Sequence, residues 1–433
     1  MMSNRRPSTQ TELLLGYAKR NANVPKLAVG YPPRVIAEHL YRNYIESCIL
    51  DRDTFAEFVQ YPIAMSAEGL DIWLTTQDDP ATIRKMAGST TPLSYRGYQD
   101  FAYMIKAAVK PPVSRGDAYK YSSVQTIAFS PKDVNVIFCP IFIKMRERLM
   151  SVLDPKFIYF TGLSPRELEG TLNHRFDARV LFDLERTECD ISKYDKSMPA
   201  YYSLFEVSLF VALGMPIELA YIWYNSHVTS TYWDRDTGFS VRVEYQRRSG
   251  DASTFLGNTI INHAVACAVY DMRKVALGLF AGDDNLLFGT DISYDSSGLY
   301  ADLFNFESKT LPNMTYPYFC GKFIIPLYEH IYLVPDPVRT LVKMGRRDMR
   351  NFEHVEEYRV SVRDTLLPLR NLKIRAQLNE AITERYKTEW ACHDAMINSL
   401  TYVCEYPNTF KRLYYHLPGD RLLMDPSRPS IEI

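Results

Sequence analysis

The chain has 433 residues, of which 46% are hydrophobic and 23% are charged, and its formal net charge is −1. This composition is ordinary for a globular protein with a large core, and it excludes intrinsic disorder. The charge is unevenly spread, since residues 339–375 hold ten Lys or Arg against five Asp or Glu, and such a region suits a polyanionic partner.

The cysteine pattern and the hydropathy exclude further classes of protein. The seven cysteines are scattered and never form a C-x-x-C pair, so their spacing indicates neither a disulfide framework nor a zinc site, and a reducing compartment fits. The most apolar stretch, residues 201–217, contains Glu206 and is shorter than the ~20 residues that span a bilayer. We interpret it as a core helix and expect no intrinsic transmembrane segment. The N-terminus lacks the apolar run of a signal peptide.

The first predicted elements are helical. The Pro32-Pro33 pair is typical of a helix start, and this helix should run to about Leu50. Residues 51–95 alternate apolar and charged positions at roughly helical spacing. No chemistry is indicated there, so the segment is interpreted as scaffold.

A basic stretch follows. Lys106, Lys110 and Arg115 surround a Pro-rich segment, and a β-like run comes after them at residues 124–129. Basic side chains on a loop and hairpin suit a triphosphate or a phosphodiester backbone, and only Arg offers a bidentate fork. A solvated basic loop remains the alternative.

The next informative stretch begins at Glu188. Residues 179–184 and the alternation around Asp190 predict a strand that ends here, and Ser197 with Pro199 predicts a helix start. Asp190 should therefore lie at the carboxyl end of a strand and Asp195 at the turn into a helix. The alternative for Asp195 is an acid placed at a helix start by the helix dipole.

A Ser249-Gly250 turn is predicted to lead into a helix. Thr254, Asn258 and Asn262 recur every four residues and should form one polar stripe. The other face should be core, including Phe255, Ile261, Ala264, Val265 and Ala268. Polar stripes are often wet surface, but this helix is otherwise nearly all apolar, which favours a stripe that faces a substrate.

Two adjacent carboxylates, Asp283 and Asp284, lie at a turn between apolar runs in residues 278–289. This pattern predicts a β-hairpin with acid at its tip. No Lys or Arg occurs between Lys274 and Lys309, so a cation from solution is the natural partner for the repelling charges. The hairpin thus predicts a magnesium site, with a solvated hairpin as the alternative.

The chain beyond the hairpin carries one more candidate. Residues 305–309, ending in Lys309, are interpreted as a helix end, and residues 318–325 as a strand. Beyond Gly345 the chain is predicted to be mainly helical and basic, with Pro368 and Pro407 as breaks.

Taken together, these motifs resemble those of RNA-dependent RNA polymerases from positive-strand RNA viruses. The match comprises D-x-x-x-x-D from Asp190 to Asp195, S-G-x-x-x-T-x-x-x-N from Ser249 to Asn258, and G-D-D at residues 282–284. The sequence D-I-S-K-Y-D-K-S is similar to the corresponding motif of the alphavirus-like plant-virus replicases. The segments Q-R-R-S-G-D, Y-F-C-G-K-F, V-P-D-P and R-L-Y-Y-H look most like closteroviruses.

The resemblance implies an α+β chain with the right-hand polymerase fold. Such a fold has fingers, a palm built from an antiparallel sheet with packed helices, and a mainly helical thumb. The expected boundaries are 1–187 for an N-terminal extension and fingers, 188–345 for the palm, and 346–433 for the thumb. A fingers insertion is expected at about 215–248 within the palm.

The resemblance also implies roles for particular residues. Asp190 and Asp283 would be the principal ligands of two Mg²⁺ ions, with Mn²⁺ as a possible substitute, and Asp284 a neighbouring acid. Lys309 matches a lysine after the hairpin, and we predict that it protonates or neutralises the leaving pyrophosphate, with a solvated charge at a helix end as the alternative. The remaining positions would bind the nucleotide substrate: Lys106, Lys110, Arg115, Asp195, Ser249, Gly250, Thr254 and Asn258.

The expected partners follow from the same resemblance. They are an RNA template and product, ribonucleoside triphosphates, and other viral replicase proteins that supply capping and helicase activities. The expected location is the host cytoplasm, at membrane-associated replication complexes. The alternatives are a reverse transcriptase or DNA polymerase with the same metal chemistry, and a catalytically inactive polymerase-like RNA-binding scaffold.

Overall fold

The computed structural model describes residues 8–22, 30–77, 79–87, 95–106, 124–192, 194–345, 349, 351–388 and 391–414. Helices and strands are mixed along this part of the chain, which confirms the α+β class. No helix within these ranges combines the length and the apolar character needed to cross a bilayer.

The described helices occur along the whole chain and cluster at its C-terminal end. They are α1 Gln10–Arg20, α2 Pro33–Cys48, α3 Arg52–Glu57, α4 Ala67–Leu74, α5 Pro80–Ala87, α6 Lys132–Val152, α7 Pro165–Arg175, α8 Ala178–Asp183, α9 Ala200–Ala212, α10 Ile217–Val228, α11 Thr254–Val269, α12 Ser297–Phe304, α13 Pro337–Met344, α14 Phe352–Thr365, α15 Leu372–Tyr386, α16 Ala391–Glu405 and α17 Pro407–Lys411.

The described strands form three sheets. They are β1 Asp100–Ile105, β2 Thr126–Phe129, β3 Phe157–Tyr159, β4 Glu185–Ile191, β5 Thr229–Asp234, β6 Phe239–Glu244, β7 Val275–Ala281, β8 Asp284–Gly289, β9 Ser308–Pro312, β10 Tyr318–Phe319, β11 Lys322–Leu327 and β12 His330–Pro335. Their orders are β2-β1-β5-β6, β10-β11-β12 and β3-β7-β8-β4-β9.

The five-stranded sheet is the centre of the molecule. Its strands pair antiparallel, except that β3 runs parallel to β7. One face packs on a core shared with α2, α6, α9 and α11, which includes Leu40, Leu149, Phe205, Ile261 and Phe280. The other face packs on a core with α7 and the β10-β11-β12 sheet, which includes Leu168, Leu279, Phe288 and Ile324. Because both faces are covered, β7 and β8 are almost continuously apolar.

The C-terminal helices have a core of their own. Val355, Leu378, Ile397 and Phe410 are buried from α14, α15, α16 and α17, respectively. Tyr318 and Phe323 of the β10-β11-β12 sheet join the same core. The helical character predicted beyond Gly345 is therefore confirmed for the described residues, and this region packs directly against the neighbouring sheet.

Several sequence predictions of local structure are confirmed and others were wrong. The helix from Pro33, the strand at Asp190, the helix after Ser249 and the acidic hairpin are all present. Residues 179–183, predicted as an approach to the strand, lie in helix α8, which Asp177 caps by accepting a hydrogen bond from Arg179 N at 2.7 Å.

Two predictions beyond the hairpin were also wrong. Lys309 lies inside β9, whereas the preceding helix α12 ends at Phe304 with Asn305 in the left-handed conformation. Residues 318–325 belong to two strands instead of one, because Cys320 and Gly321 adopt positive φ angles of 50° and 78° and make a turn. Periodicity alone cannot place a two-residue turn inside an apolar run.

Candidate active site

The acidic hairpin tip is a two-residue loop. Ala281 of β7 pairs with Asp284 of β8, so Gly282 and Asp283 alone connect the strands. Gly282 has φ of +62°, a left-handed conformation that glycine adopts without strain. Asp283 therefore projects from the apex of a tight turn, and Asp284 begins the returning strand.

Helix α11 holds this turn through its backbone. Gly282 N donates to Thr259 Oγ1 at 2.8 Å, and Asn262 Nδ2 donates to Gly282 O at 3.1 Å. Asn285 Nδ2 donates to Asn262 Oδ1 at 2.6 Å, which ties the first residues of β8 to the same helix. Thr259 and Asn262 are fully buried, so these bonds are shielded from water and hold the carboxylates in place.

Strand β4 brings a third carboxylate beside the hairpin. Asp190 is directly opposite Asp284 in the β4-β8 register, and it is opposite Lys309 in the β4-β9 register. Residues opposed across antiparallel strands point to the same face of a sheet. The three side chains therefore form a row on one face of the sheet, across adjacent strands. The row runs from Asp284 on β8 through Asp190 on β4 to Lys309 on β9.

The carboxylates at the hairpin perturb one another. Burial, followed by the charge of Asp283, raises the pKa of Asp284 to about 6. The guanidinium of Arg339 opposes this rise, and the charge of Asp190 adds to it. A carboxyl group whose pKa is raised by neighbouring acids gains from a cation that neutralises the group.

Asp195 and Asn258 meet beside the hairpin. Asp195 lies in a 3₁₀ turn at Tyr194–Ser197, and the side chain of Asn258 donates a hydrogen bond to its carboxylate. Burial and then the charge of Asp283 raise the pKa of Asp195 to about 6, against the opposing charges of Arg247 and Arg20. Oδ1 of Asn258 is buried and has no hydrogen-bond partner among the described residues. It is therefore an acceptor open to a ligand hydroxyl.

A buried ion pair supports this region. Arg247 Nη2 donates to Glu206 Oε1 at 2.6 Å, with each side chain 2% exposed. The backbone N–H of Arg247 donates to Asp195 O at 2.8 Å. Gly257 of α11 lies against the pair, because a Cβ at this position would be 2.1 Å from Glu206 Oε1. The pair thus joins α9, the segment before Ser249 and α11 around Asp195.

The Ser249-Gly250 turn is attached to strand β2. Gly250 N donates to Ala128 O at 2.7 Å, and Ala128 N donates to Ser249 Oγ at 3.3 Å. A Cβ on Gly250 would be 2.6 Å from Phe129 Cβ, so a larger residue cannot approach this closely. Thr254 donates its hydroxyl hydrogen bond to Arg248 O and closes the loop.

These elements enclose a cavity of about 750 Å³. Seven predicted site residues line it: Lys106, Asp190, Asp195, Ser249, Thr254, Asn258 and Asp283. Asp284 and Lys309 lie beside it on the sheet row and are not part of its wall. Lys110 and Arg115 lie outside the described residues.

The polar stripe of α11 differs from its prediction. Thr254 and Asn258 face the cavity, whereas Asn262 is fully buried and holds the hairpin turn. Phe255, predicted as core, is 47% exposed and lines the cavity. The helix is so widely buried, with 13 of its 16 residues inside, that a two-sided pattern could not assign its faces.

Sequence reasoning missed several residues of the cavity wall. Arg20 at the end of α1 and Arg247 supply positive charge, and Tyr103 and Tyr232 supply aromatic surface. Arg247 stands two positions before Ser249, which could have drawn attention to it. Arg20 is more than 160 residues from the acidic motifs, and no local signal marks it.

The chain is similar in sequence to viral replication proteins. The chain is 32% identical over 385 residues to an RNA replication protein of Citrus leprosis virus C, covering 88% of the chain and 15% of that protein. It is 31% identical over 389 residues to the replicase large subunit of Sunn-hemp mosaic virus, covering 89% and 23%, respectively. With the corresponding subunit of Odontoglossum ringspot virus, isolate Korean Cy, the identity is 30% over 409 residues, covering 94% and 25%.

The chain spans about a quarter or less of the length of these relatives. A closer affinity to closteroviruses stays a prediction. The family model described as RNA dependent RNA polymerase matches residues 1–412, nearly the whole chain. The resemblance indicated by the acidic and Ser-Gly motifs is thereby confirmed, and the chain belongs to the RNA-dependent RNA polymerase family of viral replicases.

Proposed function

We propose that this chain catalyses template-directed RNA synthesis during replication of a positive-strand viral genome, by nucleotidyl transfer with two Mg²⁺ ions. The observation that carries the proposal is that β4 and the β7-β8 hairpin bring three carboxylates together, with Asp190 and Asp283 lining a polar cavity and Asp284 beside it. That cavity also contains basic side chains and an amide acceptor without a partner.

The residues present fit divalent metal ions. Carboxylate oxygens are the hard ligands that Mg²⁺ prefers, and strand ends hold them on rigid elements. Asp190 and Asp283 would be the principal ligands and Asp284 the neighbouring acid, whose pKa is raised by burial and then by the charges of Asp283 and Asp190. Among the described residues, the ligand oxygens of these three carboxylates do not form a group within 4.8 Å of one another. When bound, such ions stabilise the attacking and leaving oxygens, and Mn²⁺ shares this ligand preference.

Basic side chains would neutralise the triphosphate. Lys106 is exposed at the end of β1 and lines the cavity, and Lys110 and Arg115 follow it in the sequence. Lys309 lies across β4 from the hairpin, next to Asp190. It is suited to protonate or neutralise the departing pyrophosphate. Pairing with the template would select the base, while phosphate contacts position the strands.

We assign the molecule a right-hand arrangement on this basis. The β3-β7-β8-β4-β9 sheet would be the palm, and the helices α14 to α17 the thumb. Strand β5, from the 215–248 insertion, pairs with β1 of the fingers segment 1–187, and β6 of the same insertion pairs with β5. Strand β3 and the first residues of β4 come before residue 188 but belong to the same sheet as the palm strands. The boundary between the fingers segment and the palm segment 188–345 therefore falls inside this sheet.

The partners are part of the proposal. RNA template, RNA product and ribonucleoside triphosphates would occupy the cavity and the basic surface around it. The relatives are several times longer than this chain, so capping and helicase functions would come from other replicase proteins or segments. We place the activity at membrane-associated replication complexes in the host cytoplasm.

Primer extension on an RNA template, with Mg²⁺, with Mn²⁺ and with chelator, tests the proposal. Asp190→Ala and Asp283→Ala should each lower incorporation about 10³-fold or more, since several kcal/mol of transition-state stabilisation are lost and each 1.36 kcal/mol is tenfold. Asp271→Ala, on an exposed turn, should retain activity. Ribonucleotide incorporation by the unaltered chain excludes an inactive scaffold. Preference for deoxynucleotides, or near-normal activity in both aspartate variants, would contradict the proposal.

A further inference from the structure

Three side-chain atoms that can bind a metal ion lie close together in the core, away from the carboxylates of the candidate active site. They belong to Cys48, His263 and Cys267, and all lie within 4.8 Å of one another. Cys48 Sγ is 3.1 Å from His263 Nε2 and 3.1 Å from Cys267 Sγ. Cys48 and His263 are fully buried and Cys267 is 9% exposed. The proposed RNA synthesis uses none of these residues.

The three side chains come from two packed helices. Cys48 is the last residue of α2, and His263 and Cys267 are one turn apart on α11. Residues at i and i+4 project from the same helix face, so the pair is prearranged to chelate. The third ligand comes from 215 positions earlier in the chain. Spacing rules for zinc sites cannot find such a group, because they require neighbouring ligands in the sequence.

The histidine is oriented as metal-binding histidines are. Its Nδ1 lies 3.0 Å from Tyr159 Oη, which in turn lies 2.8 Å from Tyr44 Oη. If Nδ1–H donates to Tyr159, the lone pair of Nε2 points toward the two sulfurs. A hydrogen bond from the second ring nitrogen to an oxygen is the usual support of a metal-bound imidazole. The ring is also stacked on Phe280, with 4.0 Å between centroids.

The ligand set and its charge favour zinc. Zn–S bonds of about 2.3 Å and Zn–N bonds of about 2.0 Å give ligand separations of roughly 3.5 to 3.8 Å in a tetrahedron. The observed 3.1 Å contacts would need to open by roughly half an ångström. Two thiolates, a neutral imidazole and Zn²⁺ sum to zero charge, which suits an apolar core, whereas Cu⁺ would leave a net negative charge.

We propose that Cys48, His263 and Cys267 bind a Zn²⁺ ion that joins α2 to α11. Binding releases the two thiol protons to solvent as two Zn–S bonds form, and no electrons are transferred. The described residues supply three ligands, so a water would complete the tetrahedron. Helix α11 also carries Thr259 and Asn262, which bond to the hairpin turn. An ion bound to the same helix would therefore restrict the motion of the residues that hold the acidic motif.

Metal analysis of the purified full chain tests the site. The chain is expressed with zinc in the medium, purified without chelator, and its zinc content measured by mass spectrometry. We expect one zinc ion per chain, lost in Cys267→Ser and in His263→Asn. The matched control is Cys404→Ser, a buried thiol in the C-terminal core, which should keep the ion.

Cobalt substitution gives a second measurement that does not depend on the variants folding. Co²⁺ added to the metal-free unaltered chain should produce the strong near-ultraviolet absorption of thiolate-bound cobalt, and Zn²⁺ should abolish it. Absence of both bound zinc and this absorption in the unaltered chain would overturn the proposal. Zinc retained equally by Cys267→Ser and His263→Asn would overturn it as well.

Discussion

Asp195 and Asn258 come from separate motifs, and we propose that together they recognise the sugar of the nucleotide. They are 63 positions apart, yet Asn258 donates to the Asp195 carboxylate inside the cavity. Asn258 Oδ1 keeps an open acceptor position, and Asp195 can accept from a second donor. Together they are suited to the two hydroxyl groups of a ribose.

Replacing either residue with alanine should weaken selection of the sugar. A site that bonds a hydroxyl leaves polar groups unpaired when a deoxynucleotide enters, at about 1 to 3 kcal/mol per group. In Asn258→Ala and Asp195→Ala, the preference for ribonucleotides over deoxynucleotides should therefore fall by about 5- to 150-fold. The measurement is the ratio of kcat/KM values for the two nucleotides. Asn408→Ala, at an exposed position of α17, is the control, and an unmoved ratio in both site variants would place sugar selection elsewhere.

The sheet register puts Lys309 beside Asp190, and we propose that this lysine acts on the leaving pyrophosphate. Lys309→Met should slow single-turnover incorporation by about 10² to 10⁴, the range for loss of a positioned general acid. Template binding, measured by fluorescence anisotropy, should be unchanged. Lys144→Met removes a comparable exposed lysine from α6 and should have no effect on either quantity. Equal rates for Lys309→Met and the unaltered chain would show that Lys309 is only a solvated charge.

At the scale of elements, α11 organises the site. Its first half lines the cavity through Thr254 and Asn258, and its middle holds the hairpin turn through Thr259 and Asn262. Gly257 lets the Glu206–Arg247 pair lie directly against the helix. Any side chain at Gly257 must therefore displace a buried ion pair.

Gly257→Ala should lower the free energy of unfolding by about 1 to 3 kcal/mol, the usual cost of overpacking a core. The new Cβ would also be 3.1 Å from the terminal nitrogens of Arg247. Gly170→Ala in α7 is the matched control, because nothing lies within 4 Å of its new Cβ. It should be neutral or stabilise by about 0.4 to 1 kcal/mol. Denaturant unfolding measures both, and equal effects would contradict the packing argument.

At the scale of the whole molecule, a largely buried ion pair, in which the Arg385 side chain is 21% and the Glu188 side chain 7% exposed, connects the central sheet to the C-terminal helices. Glu188 of β4 accepts from Arg385 Nη1 of α15 at 2.9 Å and from Tyr318 N at 2.7 Å. The Arg385 guanidinium also lies 3.7 Å from the centroid of the Tyr318 ring. Glu188 is two residues from Asp190 on the same strand, so this contact reaches close to the carboxylates.

Arg385→Met should destabilise the chain by about 3 to 5 kcal/mol, because the Glu188 charge stays buried without its partner. The double variant Arg385→Met with Glu188→Gln should recover part of this loss. Arg370→Met breaks the exposed pair with Glu405, whose side chains are 59% and 43% exposed, and should cost at most about 1 kcal/mol. Similar losses in the Arg385 and Arg370 variants, measured by denaturant unfolding, would contradict a special role for the buried pair.

Local sequence patterns were sufficient to predict the helices, strands and turns that contain the candidate site residues. The Gly-Asp-Asp turn between two apolar runs specified a hairpin, because a two-residue loop and its flanking apolar runs are encoded within a dozen residues. The strand end at Asp190 and the helix after Ser249-Gly250 were specified in the same way. The order of these motifs was sufficient to recognise the polymerase family.

The contacts between the candidate site residues depend on long-range packing, which local patterns do not predict. The register of β4 between β8 and β9 puts Lys309 beside Asp190, and packing of α1 brings Arg20 to the cavity. The burial of Asn262 and the exposure of Phe255 depend on what surrounds α11, and the Cys48–His263–Cys267 group depends on the approach of α2. Local propensity acts over a few residues, whereas these contacts join segments tens to hundreds of positions apart. They form only once the hydrophobic cores have brought the segments together.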